Sequence, residues 1–408
     1  MPATPAPFDD SALASEMTRR CASLDSARSA RARLTIDLAG IAHNARVLRE
    51  LSGRAQLMAV LKGDGYGLGG VPIARALSSA GVRAFAVDSV AEGLELRHAG
   101  VAGKILIIDG DLPENCGAAL EAQLTPGVSN RELLGAYDAA ARRLGQRCPV
   151  WLAMNVGFNR SGCDAASPEE LLEAAQQARH LDVEATYAQM SCAHEAGGES
   201  EAQLELYRSA TRAVYRILGP QVRTSILASH GIVRFADVMV CDWVRAGILL
   251  YGEHTFGAAP LLDARLRQVL SRFRDVVSLR ARVSQLLPIS RAACLGYGTA
   301  HRIHPGQRIA TVALGYGYGY PVQGRELQAI VRGRRVPLVG AIGMDALQID
   351  VSSLPSVGPL DWVTLIGRDG DERIEVSEVA SRASLSVYAL LRQLRCHREY
   401  VMGHETSR

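Results

Sequence analysis

Between residues 57 and 252 the sequence alternates short apolar runs with amphipathic segments that are long enough to form helices. There are eight such runs: LMAVLK, AFAVDS, ILIID, QLTPGVS, VWLAMN, VEATYAQM, RTSILAS and WVRAGILLYG. Eight buried strands that are each followed by a helix fit a closed (β/α)8 barrel better than an open doubly wound sheet. Alternation alone does not exclude a dinucleotide-binding sheet, but no G-x-G-x-x-G motif opens the first helix.

The pattern on either side of these runs predicts two further segments. Beyond about residue 270 the sequence consists of short alternating runs broken by Gly and Pro, which is typical of a β domain, with helical periodicity returning at 376–396. The run LTIDL near residue 34 precedes the eight and is expected to lie outside the barrel. We therefore predict an α/β protein with a flexible N-terminal arm (1–31), a (β/α)8 TIM barrel (32–268) and a mainly-β C-terminal domain (269–408).

Composition narrows the classes of partner. The net charge is only +3, no dense basic run occurs and aromatic residues make up 5% of the chain, which argues against a nucleic-acid groove and favours a small-molecule ligand. We find neither a signal-like N-terminus nor a stretch of eighteen apolar residues, so we expect no membrane association and a cytoplasmic location. The eight cysteines are scattered without a C-x-x-C pair, so we expect neither a metal site nor a disulfide framework.

Lysine usage points to one residue. The chain contains only two lysines, Lys62 and Lys104, among 45 basic residues. Lys62 ends the first barrel run in the segment AVLKGDGYGLG, and Tyr66 follows within a glycine-rich turn. Barrel enzymes keep their active residues at this end of the strands, and an amine can form a Schiff base that a guanidinium cannot. The motif alone is equally compatible with a solvated lysine in a loop.

This segment resembles the cofactor-lysine segment of alanine racemases, and further similar segments follow in the same order from about residue 32 to residue 400. The resemblance implies a racemase that uses pyridoxal 5'-phosphate, bound covalently by Lys62, with the Tyr66 hydroxyl on its phosphate. It also implies that the enzyme inverts the α-carbon of a free amino acid, which makes it an isomerase.

Three more segments carry the implied cofactor contacts. VRAGILLYG is similar to the family segment that places Arg245 at the pyridine nitrogen and the amides of Gly247 and Ile248 on the phosphate. LASHGIVRF and SVYALLRQLRCHREY contribute Ser229 and Tyr388 as further phosphate ligands. A permanently charged guanidinium would keep the ring nitrogen unprotonated, which favours simple proton return over transamination or decarboxylation.

The remaining similar segments concern the substrate. CLGYGTAH places Tyr297 on the family's catalytic tyrosine, which a second subunit contributes, so that Lys62 and Tyr297 would serve opposite faces of the α-carbon in a homodimer. MNVGFNRSGC places Arg160 as the arginine that binds the substrate carboxylate. VGAIGMDALQID adds Met344 and Asp345 as further substrate-binding residues.

The sequence departs from the family mainly on the substrate side. Ala153 stands where the family has a lysine that is often carbamylated, and Asn155 begins Asn-Val-Gly in place of Asp-Thr-Gly. Cys192 stands where a histidine normally lies beside the catalytic tyrosine, unless His194 takes its place, and Tyr318 replaces an aspartate. Because the cofactor side is intact, we expect cofactor binding to be retained and substrate preference to be open to change.

The predicted function is interconversion of L- and D-alanine, or of a related small amino acid such as serine, by two-base proton transfer. Three alternatives stay open at this point. They are a broader-specificity amino-acid racemase, a decarboxylase or lyase on the same architecture, and a catalytically impaired homologue that binds the cofactor without turnover. A pocket that discriminates a methyl from a hydroxymethyl group does so by only about 1–3 kcal/mol, which sequence does not resolve.

Overall fold

The computed structural model describes residues 31–108, 110–238, 241–256 and 263–403. The predicted N-terminal arm lies outside these ranges except for its last residue, Arg31. Within the described ranges, no helix has the length and apolar character needed to cross a membrane.

The strands and helices are numbered in chain order. The strands are β1 (Ala32–Asp37), β2 (Gln56–Val60), β3 (Ala84–Val87), β4 (Lys104–Ile107), β5 (Thr125–Val128), β6 (Cys148–Asn155), β7 (Cys163–Asp164), β8 (Leu181–Ala188), β9 (Arg223–Ser225), β10 (Trp243–Ala246), β11 (Val277–Pro288), β12 (Ala293–Cys294), β13 (Arg302–Ile303), β14 (Arg308–Val312), β15 (Gln328–Val331), β16 (Arg334–Val339), β17 (Leu347–Asp350), β18 (Trp362–Asp369), β19 (Glu372–Ile374) and β20 (His397–Val401). The α-helices are α1 (Leu38–Leu51), α2 (Gly70–Ser79), α3 (Val90–His98), α4 (Cys116–Glu121), α5 (Arg131–Leu144), α6 (Glu169–Gln177), α7 (Glu199–Leu218), α8 (Ser229–Phe235), α9 (Ala264–Leu270), α10 (Val376–Arg382) and α11 (Val387–Gln393). A helical turn occupies Lys62–Tyr66, and 3-10 segments occupy Pro113–Asn115, Ile248–Tyr251 and Tyr316–Tyr318.

The eight predicted runs form a parallel barrel. Its strand order is β10-β2-β3-β4-β5-β6-β8-β9, with the short β7 paired to β6. The barrel closes between β9 and β10, where the amides of Asp242 and Arg245 donate to the carbonyls of Thr224 and Leu227 at 3.1 and 2.9 Å. Each of the eight apolar runs contains one of these parallel strands, as expected for strands that are covered on both faces. The predicted (β/α)8 fold is confirmed.

The interior of the barrel explains the second lysine. Trp151 packs between Tyr187 and Trp243, with ring centroids 6.4 and 5.6 Å away. Lys104 begins β4 at the opposite end of the barrel from Lys62, and its Nζ lies 2.5 Å from the Glu184 carboxylate, which also accepts from Trp151 Nε1 at 3.3 Å. A structural ion pair therefore accounts for Lys104, which leaves Lys62 as the lysine at the carboxyl ends of the strands.

The C-terminal domain is built on a sheet with the strand order β19-β18-β15-β16-β17-β14-β11-β1-β20. Strand β1 pairs antiparallel with β11 and parallel with β20, so the LTIDL run lies outside the barrel, as expected. The range 32–268 that we predict for the barrel therefore needs correction at its start, because Ala32–Asp37 belongs to the C-terminal sheet. Its alternating burial suits a sheet with one covered face.

Candidate active site

The segment that follows β2 is a turn in the left-handed conformation. Gly63, Asp64 and Gly65 have φ values of 65°, 55° and 62°, and Tyr66 and Gly67 continue the series at 61° and 84°. Glycine adopts this conformation without the clash that a side chain causes, which suits Gly63, Gly65 and Gly67, whereas Asp64 and Tyr66 adopt it with a side chain. The turn begins at Lys62 and ends by placing the Tyr66 ring in the interior.

The Tyr66 hydroxyl lies against bare backbone at the end of β10. A Cβ atom added to Gly247 would lie 2.1 Å from the Tyr66 hydroxyl oxygen, so any side chain there would displace it. The Tyr66 ring packs edge-on against Tyr251 and beside Tyr388, with centroids 5.3 and 5.8 Å away. Burial raises the pKa of Tyr66 and that of Tyr388, so both hydroxyls stay protonated and able to donate.

Ser229 completes a group of hydrogen-bond donors. It begins α8 just after β9, and its Oγ accepts from the amides of Gly247 at 3.0 Å and Leu249 at 3.4 Å. These amides open the 3-10 segment Ile248–Tyr251. Hydroxyls and amides that meet after the seventh and eighth barrel strands form the arrangement in which barrels commonly bind phosphate. The donor chemistry of these hydroxyls and amides therefore fits a phosphate group.

Arg245 is held rigidly inside the mouth of the barrel. Its side chain is buried, and its Nη1 donates to the Ser225 carbonyl at 3.0 Å and to the Ser225 Oγ at 2.6 Å. Its Nη2 donates to the Ala188 carbonyl at 2.5 Å, and the guanidinium lies 5.3 Å from the centre of the Tyr187 ring. These neutral acceptors orient the guanidinium without cancelling its charge.

Lys62 has an acidic neighbour that the sequence analysis missed. Its Nζ lies 4.0 Å from an oxygen of Asp88, which follows β3, the strand next to β2 in the barrel. Both side chains are partly exposed to solvent, at 37% and 65%. The sequence signal is an aspartate directly after a buried run, AFAVDS, because the carboxyl ends of neighbouring parallel strands meet at one edge.

Arg160 lies in the loop after β6 and shares a small cavity at the barrel mouth with Arg245. Its guanidinium stacks on the Phe158 ring at 4.5 Å. The loop is shaped by Asn155, whose Oδ1 accepts from the amides of Gly157 and Asn159 at 3.0 Å each. These hydrogen bonds fix the backbone of the loop that carries Arg160.

Two of the positions at which the sequence departs from the family segments, Ala153 and Asn155, lie in this region. Ala153 lines the same cavity as Arg160 and is buried. Cys192 lies in the loop after β8, and its Sγ is 3.6 Å from the Oγ of Ser200 at the start of α7. The ring of His194 lies 5.5 Å from the ring of His230, and its Nε2 is 3.3 Å from Glu195.

His230 is a buried neutral base beside the cofactor end of the barrel. Its Nε2 accepts from the amide of Thr255 at 3.1 Å and lies the same distance from the Thr255 hydroxyl. Burial, with smaller contributions from His194 and His254, lowers the pKa of His230 to about 3. Because it follows Ser229 directly, its packing helps to fix the first turn of α8.

The other predicted substrate residues lie on a different surface of the same chain. Tyr297 lies between β12 and β13 and is 80% exposed, and Met344 is 61% exposed beside an exposed Asp345. The two segments are neighbours, because a Cβ on Gly296 would lie 3.8 Å from the Ala341 carbonyl. In the part of the chain that the structure describes, no hydrogen bond, ion pair or ring contact joins this surface to Lys62.

Comparisons with known proteins agree with this geometry. Residues 36–255 match the alanine racemase N-terminal domain model, and residues 276–400 match the alanine racemase C-terminal domain model. The alanine racemase of Rhizobium meliloti (strain 1021) is 34% identical over 92% of this chain and 98% of its own. The alanine racemase structure from D-cycloserine-producing Streptomyces lavendulae is similar, with a TM-score of 0.83 and 27% identity over 92% of this chain and 98% of the other.

A third similar protein is the alanine racemase of Bartonella henselae, whose structure contains covalently bound pyridoxal phosphate. It matches with a TM-score of 0.80 and 24% identity over 91% of this chain and all of its own. At that level of identity the match shows a shared fold.

Replacing His230 by Gln should reduce the amount by which the free energy of unfolding falls as the pH is lowered from neutral. A histidine whose folded pKa is depressed contributes stability that is fully present above its ordinary value of 6.5 and is lost as pH falls toward about 3. Glutamine keeps an acceptor for Thr255 but gains no proton. Between about pH 7.5 and about pH 5, the free energy of unfolding in urea should fall by about 2 kcal/mol more in the wild type than in the variant.

The matched control is His304→Gln, because His304 is exposed in the C-terminal domain. Its pH profile should follow that of the wild type. Parallel profiles for the wild type and His230→Gln would contradict the buried neutral assignment.

Proposed function

Because the chain belongs to the alanine racemase family, we propose that it interconverts L- and D-alanine, with Lys62 binding the cofactor and Lys62 and Tyr297 moving the proton. The enzyme is a pyridoxal-phosphate-dependent isomerase of amino acids. The observation that carries the residue assignment is the position of Lys62, at the carboxyl end of a barrel strand and one turn from a donor group suited to phosphate.

The cofactor side of the site accounts for binding and for reaction type. When bound, pyridoxal phosphate supplies a carbonyl for a covalent bond to an amine and a conjugated ring that makes the α-proton of an attached amino acid acidic. The proposed phosphate ligands are the hydroxyls of Tyr66, Ser229 and Tyr388 and the amides of Gly247 and Ile248, the residue that begins the 3-10 segment after β10. Arg245 would face the pyridine nitrogen with a fixed positive charge, which favours returning the proton over breaking another bond.

Proton transfer requires two groups on opposite faces of the α-carbon. Lys62 would serve one face. Tyr297 is too exposed within its own chain to serve the other, so we propose that it enters the site of a second subunit in a homodimer. Exposure of Tyr297, Tyr316 and Met344 on neighbouring segments supports this, since isolated chains seldom present aromatic and aliphatic side chains so openly.

We propose that three residues recognise the substrate. One belongs to the barrel of one subunit, and two belong to the C-terminal domain of the partner subunit. Arg160, stacked on Phe158 at the barrel mouth, would bind the carboxylate of the amino acid through a charge-assisted pair. Met344 and Asp345, which share a surface with Tyr297, would approach the substrate from the partner subunit. Ala153 carries no amine to form a carbamate, so the Asn155 loop would supply the orientation of Arg160.

Replacing Lys62 by Ala should abolish the covalent absorbance band of the bound cofactor and lower the racemisation rate by at least about a thousandfold. Racemisation is measured by chiral analysis of alanine after incubation. The control is Lys104→Ala, which removes the other lysine from the far end of the barrel and should keep the absorbance band and racemisation. A Lys62→Ala variant that racemises alanine at the wild-type rate would overturn the assignment.

The shared site can be tested by mixing two inactive variants, Lys62→Ala and Tyr297→Phe. If Tyr297 acts across the interface, a mixed dimer contains one site with both Lys62 and Tyr297. Random exchange makes half of the dimers mixed, so racemisation should recover to about a quarter of the wild-type rate. A mixture without activity, under conditions in which mixed dimers form, would show that both residues act within one chain.

A further inference from the structure

Asp64 stands at the centre of the left-handed turn and is held from two sides. Its φ of 55° is unfavourable for a residue with a side chain, and it is flanked by two residues of the same conformation. Such a conformation persists only where the surrounding contacts over-determine it. The contacts that do so come from residues outside the cofactor site.

The C-terminal domain holds the turn through β20. Arg398 Nη1 lies 2.7 Å from Asp64 Oδ2, in an ion pair whose side chains are 31% and 36% exposed. Two residues further along the strand, the Tyr400 hydroxyl donates to the Leu68 carbonyl at 3.0 Å. Asp64 Oδ1 accepts from the amide of Gly70 at 2.7 Å, which joins the turn to the start of α2.

The barrel holds the same residue through Glu92. One carboxylate oxygen of Glu92 accepts from the amide of Asp64 at 3.0 Å, and the other accepts from the amide of Asp88 at 3.0 Å. Glu92 is fixed because its own amide donates to Ser89, the N-cap of α3. One carboxylate therefore joins the turn that carries Lys62 to the loop that carries Asp88, whose side chain lies 4.0 Å from Lys62 Nζ.

We infer that Arg398 and Glu92 are positioning residues that hold Asp64 from opposite sides and so fix the direction in which Lys62 meets the cofactor. Neither contacts Lys62 or the phosphate ligands directly in the hydrogen bonds and ion pairs of the described residues. The inference rests on the proposed role of Lys62 as the cofactor lysine. It assigns a task in the reaction to one residue that joins the two domains, Arg398, and to one that joins two barrel loops, Glu92.

The test uses three holoenzyme variants: Asp64→Asn, Arg398→Gln and the double variant. Asparagine tolerates the left-handed region and keeps an acceptor for Gly70, so Asp64→Asn removes mainly the ion pair. Each single variant should raise the dissociation constant of the cofactor about fivefold, measured from the absorbance retained after dilution, because a partly exposed ion pair is lost. The double variant should be little worse than either single one, because both remove the same contact.

Glu92→Ala removes two hydrogen bonds to backbone amides and should raise the dissociation constant about tenfold. All these variants should also weaken the visible circular dichroism of the bound cofactor, which reports its orientation in the protein. Arg398→Lys retains the charge and should return both readings toward the wild-type values.

A merely structural role would lower the free energy of unfolding in saturating cofactor and leave the dissociation constant and the circular dichroism unchanged. That result for Arg398→Gln and Glu92→Ala would overturn the inference. The matched control is Arg332→Gln, which breaks an ion pair with Asp361 in the C-terminal sheet and should leave cofactor binding unchanged. A different outcome separates the two proposals. If Asp64→Asn binds the cofactor more weakly but the wild-type enzyme racemises no amino acid, the proposed function is refuted and the positioning role is kept.

Discussion

The contact between the Tyr66 hydroxyl and the bare backbone of Gly247 is the constraint on which the proposed cofactor site depends. It joins the turn after β2 to the end of β10, the two neighbouring strands that carry Lys62 and Arg245. Because a Cβ at Gly247 would lie 2.1 Å from that oxygen, the two segments approach only when this residue is glycine. The Tyr66 hydroxyl, the amides after β10 and Lys62 thereby lie at the carboxyl ends of neighbouring barrel strands.

The first and last strands of the described chain, β1 and β20, pair in the C-terminal sheet, and this explains how the C-terminal domain reaches the site. Strand β1 begins in the C-terminal sheet, so the chain enters the barrel already attached to that domain. Its neighbour β20 carries Arg398 to the left-handed turn, and α11 carries Tyr388 to the Tyr66 ring. Two segments of the C-terminal domain, β20 and α11, therefore contact the turn that carries Lys62.

Several features could be predicted from the sequence because they depend on local pattern. The barrel strands are buried on both faces and so appear as apolar runs, and a chain with two lysines leaves few candidates for an amine nucleophile. The Asp64–Arg398 pair could not be predicted, because 334 residues separate its members and only the fold brings them together. The contacts of Glu92 and Asp88 with the turn depend equally on how neighbouring barrel strands align.

The proposed catalytic residues do not all lie together in the single chain. Lys62, Tyr66, Ser229 and Arg245 gather at the barrel mouth, whereas Tyr297 lies exposed on the C-terminal domain. In the proposed mechanism, Tyr297 would serve the second face of the α-carbon from outside the barrel that carries Lys62. A homodimer with shared sites follows as the proposal that uses all of these residues.

The most direct test of the account is α-proton exchange in deuterated water, followed for a panel of L-amino acids that includes alanine, serine, lysine and ornithine. The account predicts that alanine takes up deuterium at its α-carbon and loses optical purity at the same time, because both proton-transfer groups reach one site. Binding of the cofactor without exchange into any member of the panel would contradict it and would identify a protein that holds pyridoxal phosphate without turnover.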